Sequence, residues 1–174
     1  TSTTPYGAGE YFVLAADIDF SSVTNFHAVP VFSGTFYGLG RSLKNITSST
    51  WKNYNNTAAL APATTWGYGL FCRLYNATVT DLVVKDFNYK DFAQGKETHS
   101  SRGSAVGGIA GYSSGNDYIL NCHTNGTVQS TKRYTVHVPV AGIVGAGFGG
   151  STTAVNTTYC YRCSADISIS VMTA

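Results

Sequence analysis

The sequence predicts an all-β protein in which short strands stack unit upon unit, an architecture called a β-solenoid. No long window places apolar residues at the three-and-four spacing of a helix, and Gly, Thr, Val, Tyr and Phe outnumber the good helix formers. A glycine-rich apolar motif also recurs along the chain, which is typical of stacked repeats. These observations together favour a coil of strands over a helical or mixed fold.

Five apolar runs predict strands, because each alternates with period two or is continuous over about 4 to 8 residues between turn formers. In chain order they cover residues 11–14, 32–37, 77–84, 134–140 and 166–171.

The repeat is clearest in VGGIAG at 106–111 and VAGIVG at 140–145. A weaker copy aligns residues 69–72 with residues 108–111. A second part of the repeat aligns residues 79–82 with residues 119–122, and these in turn with a segment centred on Tyr159 and Cys160. Such a unit cannot bury its own inner face, so neighbouring units must stack and form inward columns spaced about 4.8 Å apart. The expected inward residues are Val79, Leu82, Ile109, Ile119 and Ile143. Glycines are expected where the chain turns or approaches a neighbour closely.

The length favours a single domain over residues 1–174. We expect a polar N-terminal arm at 1–10, a repeat body at 11–169 and a C-terminal strand at 166–174. Polar segments at 85–103 and 129–136 interrupt the repeat and predict irregular loops.

The composition points to an extracellular, cell-surface or secreted setting. Only 11% of residues are charged, against roughly 25% in typical soluble domains, so hydroxyl and amide groups dominate the surface. The chain has no concentrated basic stripe, which argues against nucleic acid, and no apolar run near the ~20 residues that membrane insertion needs. Five sequons suggest a glycoprotein, with candidate sites at Asn45, Asn55, Asn76, Asn125 and Asn156.

Several of these segments resemble the GLUG-motif repeat proteins. The resemblance is carried by YFVLAADIDF at 11–20, FSGTFYGLG at 32–40, NATVTDL at 76–82, and VGGIAG at 106–111 with Asn121-Cys122. It implies a right-handed parallel β-helix that is secreted or attached to a cell surface. It also implies roles such as adhesion, surface structure or a non-catalytic module.

The disulfide candidates are Cys72, Cys122, Cys160 and Cys163. The repeat alignment puts Cys122 and Cys160 at equivalent positions in adjacent units, so this pair is the expected bridge in an oxidising compartment. Cys160-Tyr-Arg-Cys163 is a lone CxxC, which favours neither a zinc site nor a redox site without a second ligand pair.

We predict no catalytic, cofactor-binding or metal-binding residue, and therefore a protein that is not an enzyme. Asp17 and Asp19 are the closest carboxylate pair, and a calcium or acid/base role is possible for them. Turn and edge hydrogen bonds are the favoured interpretation. The acids are scattered, whereas a polysaccharide lyase would gather them with a basic residue on one face.

Aromatic residues in a Gly, Asn and Thr-rich region are candidates for stacking on sugar rings: Trp51, Tyr54, Trp66 and Tyr68. Packing inside the fold, capping of the solenoid and contact with another subunit are the alternatives.

The C-terminal strand ends as an alternating run with Ile167, Ile169 and Val171 on one face. An uncovered strand at a terminus invites pairing, so either the chain is a fragment of a longer array or it associates with copies of itself. We therefore hypothesise a non-enzymatic structural or adhesive protein whose partners are copies of itself, joined end to end or by strand addition into a filament or surface layer. The alternative is a carbohydrate-binding or polysaccharide-cleaving module, with surface glycans as partners.

Overall fold

The structure is a computed structural model that describes residues 5–24, 26–48, 66–90, 104–130, 139–147 and 157–171. In these residues the chain forms parallel β-strands. These residues contain no helix, and hence no helix long and apolar enough to cross a membrane. The all-β prediction is confirmed.

The first part of the chain contributes five short strands. They are β1 (Tyr11–Val13), β2 (Ile18–Asp19), β3 (Thr35–Tyr37), β4 (Ser42–Lys44) and β5 (Thr47–Ser48).

Three successive units of four strands follow. The first contains β6 (Trp66–Tyr68), β7 (Phe71–Tyr75), β8 (Thr78–Thr80) and β9 (Val83–Lys90). The second contains β10 (Ser104–Gly107), β11 (Ala110–Ser114), β12 (Asn116–Leu120) and β13 (His123–Ser130). The third contains β14 (Val140–Ala141), β15 (Val144–Gly147), β16 (Thr157–Tyr161) and β17 (Ser164–Val171).

Equivalent strands of successive units pair in parallel and form four sheets. Their orders are β6-β10-β14, β7-β11-β15, β1-β3-β8-β12-β16, and β2-β4-β9-β13-β17 with β5 also beside β9. The chain therefore visits the sheets in the same order in each unit, and neighbouring units are joined by backbone hydrogen bonds.

The observed register confirms the sequence alignment of the units at several points. Val106 lies opposite Val140, and Ile119 lies opposite Val79. Phe71 lies opposite Ala110, as the weaker copy predicted.

Inward side chains stack in columns and form one core. Val79, Leu82, Ile109 and Ile119 are fully buried, and Ile143 packs against them from a partly buried position. The predicted inward residues are thus confirmed. Each such side chain contributes about 2 kcal/mol by leaving water, and only its neighbours in the adjacent units make that burial possible.

Aromatic rings fill the N-terminal half of this core. The Phe32 ring lies 5.6 Å from the Phe12 ring and 4.6 Å from the Phe71 ring, measured between centroids. Phe36 meets Phe71 edge-on at 6.2 Å.

A two-residue corner joins the sheet of β8, β12 and β16 to the sheet of β9, β13 and β17. Its first residue is Asp81, Asn121 or Arg162, each with φ between 50° and 53°, the left-handed region that Asp and Asn tolerate better than most residues. The Asn121 side-chain amide donates to the Asp81 carboxylate at 2.6 Å. The second residue of the corner points inward.

This corner corrects the strand predicted over 77–84. Residues 77–84 are two strand segments, because the left-handed backbone at Asp81 turns the chain between β8 and β9. The predicted loops also begin too early in the sequence, since Lys85 to Lys90 belong to β9 and Gln129 and Ser130 to β13. Hydrogen bonds to β13 and β17 hold these polar residues in strands despite their composition. Of the strand predicted at 134–140, only 139–140 lies within the described residues.

Gly111 shows why glycine recurs in the repeat motif. A Cβ at this position would lie 2.4 Å from both the Gly67 Cα and the Tyr68 backbone nitrogen. Both obstacles are backbone atoms of the neighbouring unit, so they cannot rotate away.

We predict that Gly111→Ala lowers the free energy of unfolding by about 3 kcal/mol, because the added methyl group forces two units apart. Gly147→Ala is the matched control, since a Cβ at Gly147 meets nothing within 4 Å. Chemical denaturation of both variants measures the difference. Equal stability of the two variants would contradict this packing.

Candidate functional site

The C-terminal edge of the stack is the candidate functional site. Strand β17 pairs with β13 over eight registered residues, and no described strand pairs with its other side. The column of Tyr89, Val128 and Ile169 shows the effect of this edge, because the exposed fraction runs from 0% to 1% to 50%. Ile169 is thus an inward-type residue that the described part of the chain leaves half uncovered.

The three residues predicted for assembly differ in their surroundings. Ile167 lies opposite Gly126 and packs against the core from a partly buried position. Ile169 lies opposite Val128 and is exposed, and Val171 lies opposite Ser130, with its side chain outside the described set. Ile169 is therefore the apolar side chain of the edge that an added strand would cover most.

Strand β16 shows the same gradient as β17. Val79 and Ile119 are fully buried, whereas Cys160, which lies opposite Ile119, is exposed. The edge formed by β16 and β17 thus exposes both backbone hydrogen-bonding groups and inward side chains.

The N-terminal edge has shorter strands. Strands β1 and β2 are only three and two residues long, whereas β16 and β17 have five and eight. Short strands are one of the usual means of preventing an edge from pairing. An inward-type side chain is partly uncovered here as well, since Ile18, at the end of the column of Leu43 and Val84, is 43% exposed. The two ends therefore differ mainly in the length of the strand that they offer for pairing.

Asp17 and Asp19 make the turn and edge hydrogen bonds that the sequence favoured. An Asp17 oxygen accepts from the Ser42 amide at 2.8 Å, and the other lies 3.8 Å from Lys44 Nζ. An Asp19 oxygen accepts from the Ser21 amide and from the Asn45 side chain. The hydrogen bond from Ser42 holds the pKa of Asp17 below its ordinary value of 3.8, and that from Asn45 does the same for the pKa of Asp19.

We predict that Asp17→Asn lowers the unfolding temperature at pH 7, and that this difference disappears as the pH falls below about 3.8. A carboxylate whose pKa is lowered in the folded state stabilises the fold above its unfolded-state pKa, and this stabilisation is lost as it becomes protonated. Thermal unfolding of both proteins across this pH range is the measurement. A difference that stays constant with pH would contradict the role of the Asp17 charge.

The aromatic candidates need correction. Tyr68 is buried, with 2% of its surface exposed, so it packs in the core and does not face sugars. Trp51 and Tyr54 lie outside the described residues, as does the side chain of Trp66 in β6.

A different set of tyrosines faces solvent on the sheet of β12 and β16. Tyr118 and Tyr159 stack with ring centroids 4.9 Å apart and planes 6° apart, and Tyr161 is 60% exposed. Strand alternation predicts that each of these rings points outward. The sequence alone does not show that Tyr118 and Tyr159 lie opposite each other, because they belong to different units and only the register pairs them.

Three of the five sequons lie in the described residues. Asn76 is exposed and Asn45 and Asn125 are partly exposed, whereas Asn55 and Asn156 fall outside the described set. The Asn76 side-chain oxygen accepts from the Asn116 amide at 2.9 Å. The Asn125 side chain contacts Asp86 through two hydrogen bonds.

The expected pairing of Cys122 with Cys160 rests on a misaligned unit. Cys160 lies opposite Ile119, three residues before Cys122, and all four cysteines are free thiols in this structure. The predicted alignment of the third unit is three residues out of register, because the equivalent corner residues Asn121 and Arg162 differ in type. Cys72 lies in β7, and burial raises the pKa of its thiol to about 12.

Sequence reasoning missed a buried polar cluster at the corner between β11 and β12. Asp117 is fully buried and accepts from the Ala77 and Ser114 amides, each at 2.8 Å, and from the Ser113 hydroxyl at 2.6 Å. Arg73 donates to the Ser114 hydroxyl and lies close enough to interact with the Asp117 charge.

This cluster holds two units together. Asp117 bonds to its own corner and, through Ala77, to the preceding unit. Burial raises the pKa of Asp117 above its ordinary value, while its hydrogen bonds and Arg73 act in the opposite direction. Its signal in the sequence was Arg73 itself, a charge within the apolar run FCRLY, since a buried charge requires a partner.

We predict that Asp117→Asn lowers the free energy of unfolding by about 3 kcal/mol, because it leaves Arg73 without its counter-charge and turns an amide group toward hydrogen-bond donors. Asp166→Asn is the control, since Asp166 is an exposed residue of β17 and the change removes the same charge outside the cluster. Denaturant unfolding compares the two. A loss no larger than that of the control would mean that the cluster does not support the fold.

A polar depression of about 410 Å³ lies on the outer surface of β9, β13 and β17. Asp86, Asn125 and Asp166 line one side of it, and Asn88, Thr127 and Ser168 line the other. No group of three or more His, Cys, Asp or Glu side chains suited to a metal ion occurs within the described ranges.

No family model, no curated protein and no solved structure matches this sequence.

Proposed function

We propose that the four-strand units are the turns of a right-handed parallel β-helix with irregular loops. The support is that every paired strand is parallel to its neighbours and that equivalent strands pair from unit to unit. Connections between parallel strands of one sheet are right-handed in about 98% of proteins, which favours this hand.

A relationship to the GLUG-motif repeat proteins is part of this proposal. Its support is that the motif at 106–111, which carries part of the resemblance, pairs with its internal repeat at 140–145 in the next unit. The sequence similarity and the parallel register are compatible with one repeated building block.

The function that the geometry supports best is that of a non-enzymatic, extracellular structural or adhesive protein that assembles with copies of itself. The observation that carries this proposal is the exposure of Ile169 at the end of a column whose other members, Tyr89 and Val128, are fully buried. A strand added beside β17 would cover this side chain and satisfy the backbone groups of the edge.

The surface chemistry also favours an extracellular assembly. Low charge means little repulsion between copies, and hydroxyl and amide groups keep the surface hydrated. Within the described residues, we propose that glycans are attached at Asn45, Asn76 and Asn125, because each of these side chains is at least partly exposed.

If the C-terminal edge of one copy contacts the N-terminal edge of the next, the contact repeats from copy to copy without closing into a ring. Such a contact gives a filament. The long strand at the C-terminal edge and the short strands at the N-terminal edge are different surfaces, which favours such a directional contact. It also gives the assembly a polarity that a contact between identical edges would lack.

We predict that Ile169→Lys abolishes self-association, because a charge at the end of the apolar column would have to be buried in the joint. Ser168→Lys is the matched control: it adds the same charge one residue earlier on the outward face of β17. Sedimentation at two protein concentrations, with circular dichroism to check folding, measures the effect.

Concentration-dependent growth of the native protein and of Ser168→Lys, but not of Ile169→Lys, is the expected result. A native protein that sediments as a monomer at both concentrations would overturn the proposed assembly. Equal growth of all three proteins would show that the joint lies elsewhere.

A carbohydrate-binding module is the second candidate. It is favoured by the exposed rings of Tyr118, Tyr159 and Tyr161, since the faces of aromatic rings stack on sugars. The sedimentation experiment separates the two candidates, because sugar binding by these rings requires no association between copies.

A further inference from the structure

Two cysteines of successive units lie side by side at one corner of the stack. Cys122 and Cys163 immediately precede β13 and β17, whose first residues, His123 and Ser164, are direct partners. The Ser164 amide donates to the Cys122 carbonyl oxygen at 3.1 Å. Cys122 and Cys163 are therefore equivalent residues of adjacent units, about 4.8 Å apart along the stack.

The two side chains also point in the same direction. Each thiol donates to the carbonyl oxygen two residues before it and to that of an inward residue one unit earlier. For Cys122 these residues are Leu120 at 3.3 Å and Val79 at 3.5 Å, and for Cys163 they are Tyr161 at 3.5 Å and Ile119 at 3.3 Å. Matching partners in successive units mean that the two sulfur atoms occupy one column.

This arrangement suits a covalent bond. A disulfide requires Cα atoms about 4.4 to 6.8 Å apart, and the spacing between units lies within this window. Rotation of the Cys163 side chain about its Cα–Cβ bond moves its sulfur along the column toward Cys122.

We propose that Cys122 and Cys163 form an intramolecular disulfide by exchange with a low-molecular-weight disulfide of the glutathione class. The half-buried Cys163 is the accessible member of the pair, so its thiolate attacks the small disulfide, forms a mixed disulfide and releases one thiol. The Cys122 thiol, whose pKa burial raises to about 12, then attacks the Cys163 sulfur while its proton passes to the departing small thiolate, which leaves as the second thiol. The two cysteines lose two electrons and two protons, and the small disulfide gains them as two thiols.

Cys160 is the competing partner for Cys163. It belongs to the column of Ile119, however, and Tyr161 of β16 and the corner residue Arg162 separate it from Cys163. Its exposed thiol has no equivalent cysteine in the unit before it, whereas Cys163 does.

The bond would fasten the last unit to the unit before it. It would link residues 122 and 163 across a whole turn of the chain, which restricts the unfolded chain and raises the unfolding temperature by about 10 °C. This inference concerns the stability of the C-terminal units and does not depend on the proposed assembly.

The test treats the full chain with oxidised glutathione under native conditions, blocks remaining thiols and maps the linked peptides by mass spectrometry without reduction. The native protein and Cys160→Ser are compared, with Cys122→Ser as the negative control. We expect a peptide pair joined through Cys122 and Cys163, lighter by two hydrogens, in the first two proteins. We also expect an unfolding temperature about 10 °C higher after oxidation in these two proteins alone.

Three results would overturn the proposal. One is a link between Cys160 and Cys163 in the native protein in place of the expected one. Another is glutathione retained on Cys163 without transfer to Cys122, and the third is a pair of thiols that both remain free after prolonged exposure. Because Cys160→Ser changes only an exposed thiol, its folding can be verified independently by circular dichroism.

Discussion

Parallel backbone pairing between equivalent strands is the constraint on which the rest of this structure depends. Each unit contributes one layer to every column, so a side chain such as Val79 is buried because Phe36 and Ile119 lie on either side of it. The stability of a unit therefore belongs to its contacts with neighbours more than to the unit itself. The same constraint explains why glycines occur where two backbones meet, and why burial decreases at the last described strands.

The corners determine where the chain passes from one sheet to the next. A left-handed residue at Asp81, Asn121 or Arg162 turns the chain, and the residue after it points inward. Because the turn repeats, the inward residues Leu82, Cys122 and Cys163 form a column of their own. At another corner, the buried Asp117 joins two units through hydrogen bonds rather than through apolar contact.

The sequence predicted the fold class, the repeat and the inward residues, because glycine-apolar motifs and alternation reflect local backbone requirements. It did not predict the corner at Asp81, because a continuous apolar run looks the same whether it is straight or bent. The repeat alignment placed Cys160 with Cys122, and only the register showed that Arg162 replaces Asn121 at the turn. Arg73 within the apolar run FCRLY indicates that a buried partner exists, but the partner, Asp117, is distant in sequence, so no local pattern identifies it.

We propose that the stack of parallel units continues from one copy of the chain to the next through the edge of β17. Electron cryomicroscopy of the purified native protein can show such a junction. A continuous stack would give filaments in which a repeat of about 4.8 Å runs without interruption across the junctions between copies. Compact single particles at every concentration, or filaments whose junctions break this repeat, would contradict it.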